Sequence, residues 1–318
     1  MRFLILGAGA IGSVFGGFLR KAGHYVTLVG RAAHMAAIAA GGLRITGIWG
    51  AHHIEGLRAV ESAAALAGEA FDAVLLSVKS YDTEAAMGEL VAARLDGAPP
   101  VVSLQNGLGN VETIARHVGI ERTVGGRVIF GVETPEPGHC VVTVYAEEVM
   151  LGAVEPNEAA RTWAARLAAV FAEAAIPSLA TDRIHAYLWG KILYNCSLNP
   201  TATLLRTHYG ALVEHEATRA ILRRVVEEIY AVARARGVDL LAPTPEAYYE
   251  ILVGKLVPAT YDHHPSMLQD IRAGRRTEID AMNGAVVGYG DESGVPVPTN
   301  RTLAELIRAL EGRREERG

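Results

Sequence analysis

Three features of the amino-acid sequence predict an α/β domain built on a parallel sheet, followed by an all-helical domain. Short apolar runs alternate with helical patterns through the first half of the chain. A glycine-spaced turn joins the first such run to the first helical pattern, and beyond about residue 180 long helical periodicities replace the strands. At 318 residues the chain has material for two cores.

RFLIL (2–6) reads as a buried strand, and the helical pattern after it runs from about Ala10 to Ala22, where Gly23 ends it. YVTLV (25–29) is a second strand; AVLLSV (73–78) and VVSL (101–104) follow, with a helical stretch near 83–94 between them. From Val124 to Gly152 the segments are short and β-rich, with turns such as PEPG (135–138), which predicts antiparallel strands attached to the sheet's edge. A helix near 157–174 and a strand near 178–180 complete a first domain, 1–180. The second, 181–318, carries helical patterns at about 183–206, 214–236, 244–256, 266–273, 278–290 and 299–312. Its breakers are Gly237, Pro243, Gly274, Pro296 and Pro298, and the charged tail EGRREERG (311–318) reads as a solvated, frayed end.

Composition narrows the function. Half the residues are hydrophobic, a fifth are charged, and the formal charge of −5 is spread over interspersed acidic and basic residues. Without a large basic field, nucleic acid and anionic membranes are not expected partners. Cys140 and Cys196 stand far apart in no CxxC pairing, so neither a disulfide framework nor a metal centre is expected, and a reducing cytoplasm suits the chain. No apolar run reaches the ~18 residues of a membrane span. MRFLILGAGAIG starts a folding unit at once, which argues against a signal or transit peptide. The expectation is a soluble cytoplasmic protein.

GAGAIG (Gly7, Ala8, Gly9, Ala10, Ile11, Gly12) fits G-x-G-x-x-G directly after a strand and at the start of a helix. The first glycine permits the tight turn, the second lets the backbone approach a pyrophosphate, and the third allows close helix–strand packing. About 20 residues further on, where an NAD enzyme places a carboxylate against the ribose, this chain has Gly30 and Arg31. A forked guanidinium suits the 2′-phosphate of NADPH, the alternative being a solvated surface arginine in a chain where arginine is abundant. Lys79 and Asn106 follow later strands, at the carboxyl ends where such sheets bind ligands. Asn106 also begins an Asn-Gly turn pair.

WGKILYNCSLNP (189–200) spaces Lys191, Asn195 and Asn199 four apart, which sets an amine and two amides on one helical face. Of 30 basic residues only four are lysine: Lys21, Lys79, Lys191 and Lys255. Reduction of a ketone needs a group to protonate the developing alkoxide; lysine can do this, and arginine, with a pKa above ~12, cannot. Partial burial lowers a lysine pKa toward a useful range. The alternative is that Lys191 reaches water while the asparagines cap backbone groups, with a helix end or kink at Pro200. In HHPSMLQDIRAGRRTEID (263–280), Ser266 with Gln269 and Thr277 with Asp280 resemble capping boxes. Ser266 and Glu278 are therefore readable as helix-end residues or as a hydroxyl and an anion on one rim.

Taken together, these motifs identify a resemblance to the ketopantoate reductase (2-dehydropantoate 2-reductase) family that runs nearly end to end. It rests on GAGAIG, Arg31, SVKSYDT, LQNGLG, LWGKILYNCSLNPTATL, SMLQDIRAGRRTEIDAMNG and GVPVPTN. The resemblance implies a Rossmann domain followed by a helical substrate domain, and NADPH-dependent reduction of 2-dehydropantoate to (R)-pantoate on the way to pantothenate and coenzyme A. By the same resemblance Lys191 is the catalytic proton donor and Glu278 assists orientation and catalysis. Asn195, Asn199 and Ser266 hold the pantoyl hydroxyls and carboxylate; Lys79 and Asn106 stand at the cofactor–substrate junction; Arg31 reads the 2′-phosphate. Pro265 and Gly190 depart from the usual family pattern and bear on cleft shape. Two rival readings are a same-fold reductase of another branched 2-oxo acid and a catalytically silent NADP(H)-sensing protein. A helical second domain often carries subunit contacts, so a homodimer is the working expectation.

Overall fold

Strand β1 (Arg2–Leu6) sends Phe3 and Ile5 into one hydrophobic core and Leu4 and Leu6 into another. Side chains alternate across a strand, so a run that is apolar at successive positions demands cover on both faces. The computed structural model describes residues 1–312, so the predicted solvated tail lies outside the described residues except for Glu311 and Gly312, which end the last helix.

After β1 come α1 (Ala10–Lys21), β2 (Tyr25–Val29), α2 (Ala32–Gly41), β3 (Leu43–Gly47), β4 (His52–Ile54), β5 (Arg58–Val60) and β6 (Ala73–Leu76). Then follow α3 (Thr83–Ala92), β7 (Val101–Ser103), α4 (Asn110–Val118), β8 (Thr123–Arg127), β9 (Phe130–Glu136), β10 (His139–Tyr145), β11 (Val149–Ala153), α5 (Glu158–Glu173) and β12 (Ser178–Ala180). Eight strands form one sheet in the order β12-β11-β8-β7-β6-β1-β2-β5, parallel throughout except for the β11–β8 pair. One face is covered by Phe15 and Phe18 of α1 and by Leu167 and Phe171 of α5, the other by Met87 and Leu90 of α3 and Ile114 of α4. Each such side chain, fully buried, contributes roughly 1.5–3 kcal/mol.

The α/β class read from the sequence is the one observed, and β1, β2 and β12 coincide with their predicted spans. The β-rich segment needs correction. β8, β11 and β12 do extend the sheet edge, but β9 and β10 leave it and form a second sheet, β4-β3-β10-β9. Cys140 and Val142 of β10 are buried on the α1 side, which explains the departure: these apolar positions cover α1.

The chain divides into two compact units, Met1–Gln105 with Asn110–Ile184, and His185 onward with Asn106–Gly109. The second unit is helical: α6 (Ile184–Leu205), α7 (Ala211–Glu214), α8 (Glu216–Ala235), α9 (Pro245–Ile251), α10 (Val257–Ala259), α11 (Ser266–Arg272), α12 (Asn283–Ser293) and α13 (Pro298–Gly312). Helix α6 runs through Pro200 instead of ending there. The helix predicted over 278–290 is instead a 3-10 turn, Ile279–Ala281, followed by α12, because Met282 with φ −103° and ψ −108° interrupts the helical path. Among the described residues no helix is long and apolar enough to cross a membrane.

Candidate functional site

The glycine turn sits where the strand order reverses, for β1 has β2 on one side and β6 on the other. Ligands of such sheets bind beyond the carboxyl ends of the strands at this point. Gly7 has φ +95°, and a Cβ there would stand 2.4 Å from the Val78 nitrogen. A Cβ on Gly12 would stand 2.4 Å from Ser77 Oγ and 2.8 Å from the Gly7 carbonyl oxygen, so α1 can lie this close only with glycine. Gly9 differs from both. It is exposed, and among the described residues a Cβ there would have only the Gly7 oxygen within reach, at 4.0 Å.

Open space over the middle glycine is what an approaching pyrophosphate requires. The first turn of α1, at Ala10, Ile11 and Gly12, holds no acidic side chain, and among the described residues no side chain caps it. Its N–H groups and the positive end of the helix dipole thus suit an anion. At the end of β2, exposed Arg31 is the N-cap of α2. The turn and the guanidinium fit a phosphorylated dinucleotide.

Behind the turn lies a buried relay that the sequence did not reveal. Gly138 N–H donates to His34 Nδ1 (3.0 Å), His34 Nε2 lies 2.9 Å from Ser13 Oγ, and Ser13 Oγ–H donates to the Ala8 carbonyl (3.4 Å). Because Nδ1 accepts, Nε2 carries the proton and donates. Burial lowers the His34 pKa and keeps this neutral form. Burial also pushes up the Cys140 thiol, which neighbours Thr134 and Ser13. Ser13 and His34 are 21 residues apart and belong to no local motif, so only the fold unites them.

Lys79 follows β6 and caps the short turn Ser80–Asp82, donating nothing from its side chain to that cap while its carbonyl accepts from Asp82 N–H. The turn is held from the loop after β7 and from the start of α4: Gln105 Nε2 donates to the Val78 carbonyl (3.0 Å) and to Thr83 Oγ1 (2.7 Å), and Thr83 Oγ1–H donates to Asn110 Oδ1 (2.9 Å). Gln105 and Asn110 flank the predicted Asn106 in the chain and were legible only as its neighbours.

In the helical unit, α6 carries Lys191, Asn195 and Asn199 one turn apart, with Lys191 half-buried and both asparagines buried. Asn199 Oδ1 accepts from Tyr209 Oη (2.6 Å) and its Nδ2 lies 3.8 Å from Met282 Sδ. Burial drives the Tyr209 phenol well above its ordinary pKa, so it remains a donor. Asn106 belongs to this unit with Gly107–Gly109, and Leu108 N–H donates to the Ala281 carbonyl at 2.8 Å. Gly107 has φ +90°, and a Cβ there would meet Ala281 Cβ at 2.5 Å. The Asn106 segment is thereby clipped to the turn that begins at Glu278.

Glu278 is 6% exposed and is the N-cap of that 3-10 turn. Next to it, Asp280 pairs with Arg276 (3.0 Å) and Arg308 (2.8 Å); burial raises its pKa, but the hydrogen bonds from both arginines outweigh this and lower it. Neither capping box forms. Pro265, not Ser266, is the N-cap of α11, which leaves Ser266 exposed on the first turn, and Thr277 Oγ1 accepts from Ile279 N–H at 3.3 Å instead of starting a helix with Asp280. Among the described residues no group of three or more His, Cys, Asp or Glu could hold a metal ion.

A glycine turn at the switch point of a parallel sheet defines a dinucleotide-binding protein of the Rossmann class, followed in this chain by a helical unit that carries a half-buried lysine. Residues 3–156 match the family description Ketopantoate reductase PanE/ApbA and residues 183–311 match its C-terminal counterpart. The 2-dehydropantoate 2-reductase of Aquifex aeolicus is 35% identical over 98% of this chain and 97% of its own length, and that of Pyrococcus abyssi is 33% identical over 99% and 100%. The crystal structure of a PanE/ApbA family ketopantoate reductase from Ralstonia eutropha has a TM-score of 0.88 at 35% identity, covering 99% of this chain and 100% of that one. A ternary structure of D-mandelate dehydrogenase with NADH and anilino(oxo)acetate has the same TM-score at 26% identity, covering 98% and 99%. This chain belongs to the ketopantoate reductase family. Enzymes of the family use NADPH.

Proposed function

We propose that this protein reduces 2-dehydropantoate to (R)-pantoate with NADPH, a step toward pantothenate and coenzyme A. The observation that carries the reading is the row Lys191, Asn195, Asn199 on α6, in the same unit as Glu278, Ser266 and Asn106. Gly7, Gly9, Ala10, Ile11 and Gly12 form the pyrophosphate turn, Arg31 binds the 2′-phosphate, and Lys79 and Asn106 serve cofactor and substrate. The chemistry a bound NADPH supplies is a hydride for the ketone carbon. Lys191 Nζ delivers a proton to the C2 oxygen, so that no free alkoxide accumulates. Glu278 orients the substrate and the lysine, while Asn195, Asn199 and Ser266 hold the hydroxyl and carboxylate groups.

A second reading has its own support in the D-mandelate dehydrogenase of the same fold, which makes a different 2-oxo acid of branched structure the chief competitor. The test is a panel of 2-oxo acids assayed by loss of NADPH absorbance. The proposal expects 2-dehydropantoate to have the highest kcat/KM. Preference for an aryl or other branched 2-oxo acid contradicts it, and tight NADPH binding with no turnover on any acid identifies a sensor.

A further inference from the structure

We propose that Asn283 is a positioning residue for the polar row of α6, acting by supplying the hydrogen bond that Pro200 removes from that helix. The role deepens the reading of α6 as the substrate face and rests on it.

Pro200 has no N–H, so the carbonyl of Cys196, four residues earlier, lacks its helical donor. Cys196 is fully buried, where an unmet carbonyl is destabilising. Asn283 Nδ2 donates to that oxygen at 3.2 Å. Its second hydrogen goes to Asn300 Oδ1 at 3.0 Å, and Asn300 in turn donates through Nδ2 to Glu228 Oε2 at 2.8 Å. Glu228 also accepts from the N–H groups of Thr299 and Asn300 (2.8 and 2.9 Å), which anchors the start of α13. The donor direction is therefore set along the whole line, from Asn283 outward to both acceptors.

This amide serves more than its own solvation. Asn283 is fully buried and, among the described residues, its Oδ1 has no hydrogen-bond partner, so a polar atom is left unmet while both hydrogens are aimed. The residue before it, Met282, touches Asn199 Nδ2, and Asn195 directly precedes Cys196 in the chain. The Met282–Asn283 pair thus grips α6 at Cys196 and at Asn199, in the turn that precedes Pro200. Three residues, the turn Ile279–Ala281, join the same pair to Glu278, with Ala281 N–H donating to the Glu278 carbonyl (3.1 Å) and Met282 N–H to the Ile279 carbonyl (3.2 Å). One strap consequently locates Glu278 relative to the row that begins with Lys191.

The test is a double-mutant cycle between Asn283→Asp and Pro200→Ala, with Asn283→Ser as a milder second variant. Alanine at 200 returns an N–H to the Cys196 carbonyl and so makes the Asn283 donor dispensable. Asn283→Asp and Asn283→Ser are expected to lower kcat/KM for 2-dehydropantoate at least about tenfold while NADPH affinity, read by fluorescence, changes less than about twofold. In the Pro200→Ala background the same changes are expected to cost at least about fivefold less, both in kcat/KM and in the urea-unfolding equilibrium. Equal costs in both backgrounds overturn the proposal, as does an NADPH affinity that falls in step with kcat/KM. Absence of turnover by the wild-type protein contradicts the assigned reaction instead, and the urea cycle then still decides whether Asn283 and Pro200 are coupled.

Discussion

Ser13 Oγ and His34 Nε2 lie 2.9 Å apart in the interior of the α/β unit, and this contact ties the helix that opens at the glycine turn to the helix that opens at Arg31. The two places assigned to cofactor phosphates thus share one buried strut. Its histidine is neutral, with Nδ1 occupied by the Gly138 N–H.

The strut makes stability depend on pH. Burial lowers the His34 pKa below its ordinary 6.5, so the unfolded chain takes up a proton that the folded chain refuses. Stability is therefore full above about pH 6.5, falls as the pH drops through that value, and levels off below the folded pKa. His34→Gln should flatten the urea midpoint over this acid range relative to wild type. An unchanged slope from about pH 5 to pH 7 would contradict the assignment.

The three glycines of the turn answer to different demands, and their alanine variants should separate. Gly12→Ala inserts a Cβ 2.4 Å from Ser77 Oγ and is expected to destabilise the fold by about 1–3 kcal/mol, visible as a lower Tm. Gly9→Ala meets nothing closer than 4.0 Å and should leave Tm nearly unchanged while weakening NADPH. Equal Tm losses for both would contradict the division of roles.

Arg31→Ala removes an exposed guanidinium at the end of β2. It is expected to weaken NADPH by about 1.5–3 kcal/mol and to leave NADH binding close to wild type, so that the preference narrows. Titration of both nucleotides against the variant reads this directly.

Much of this was legible in the sequence, and the failures have physical causes. β1 and β2 are unbroken apolar runs and α1, α8 and α13 are amphipathic, so their spans were readable. α2 and β3 to β5 escaped notice because HMAAIAAGG and its surroundings have little periodic contrast, and three of those four elements are five residues or shorter. Spacing placed Lys191, Asn195 and Asn199 together because i, i+4 and i+8 is a local relation. Ser13 with His34, Asn199 with Tyr209 and Asn283 with Cys196 are tertiary relations, and no local pattern encodes them. Ser266 and Thr277 imitate capping boxes because the same short polar residues serve caps, turns and ligands alike.

Tyr209→Phe removes the donor that orients the Asn199 amide. Loss of this buried hydrogen bond should lower stability by about 1–2 kcal/mol and raise KM for the 2-oxo acid more than it lowers kcat. A change confined to kcat would place Asn199 outside substrate binding.

The most direct measurement is the turnover of Lys191→Ala with 2-dehydropantoate, taken beside its NADPH affinity and its Tm. A kcat lowered by about 10²–10⁴-fold is expected, with NADPH affinity and Tm close to wild type. A variant that still turns over within about tenfold of wild type would contradict Lys191 as the proton donor.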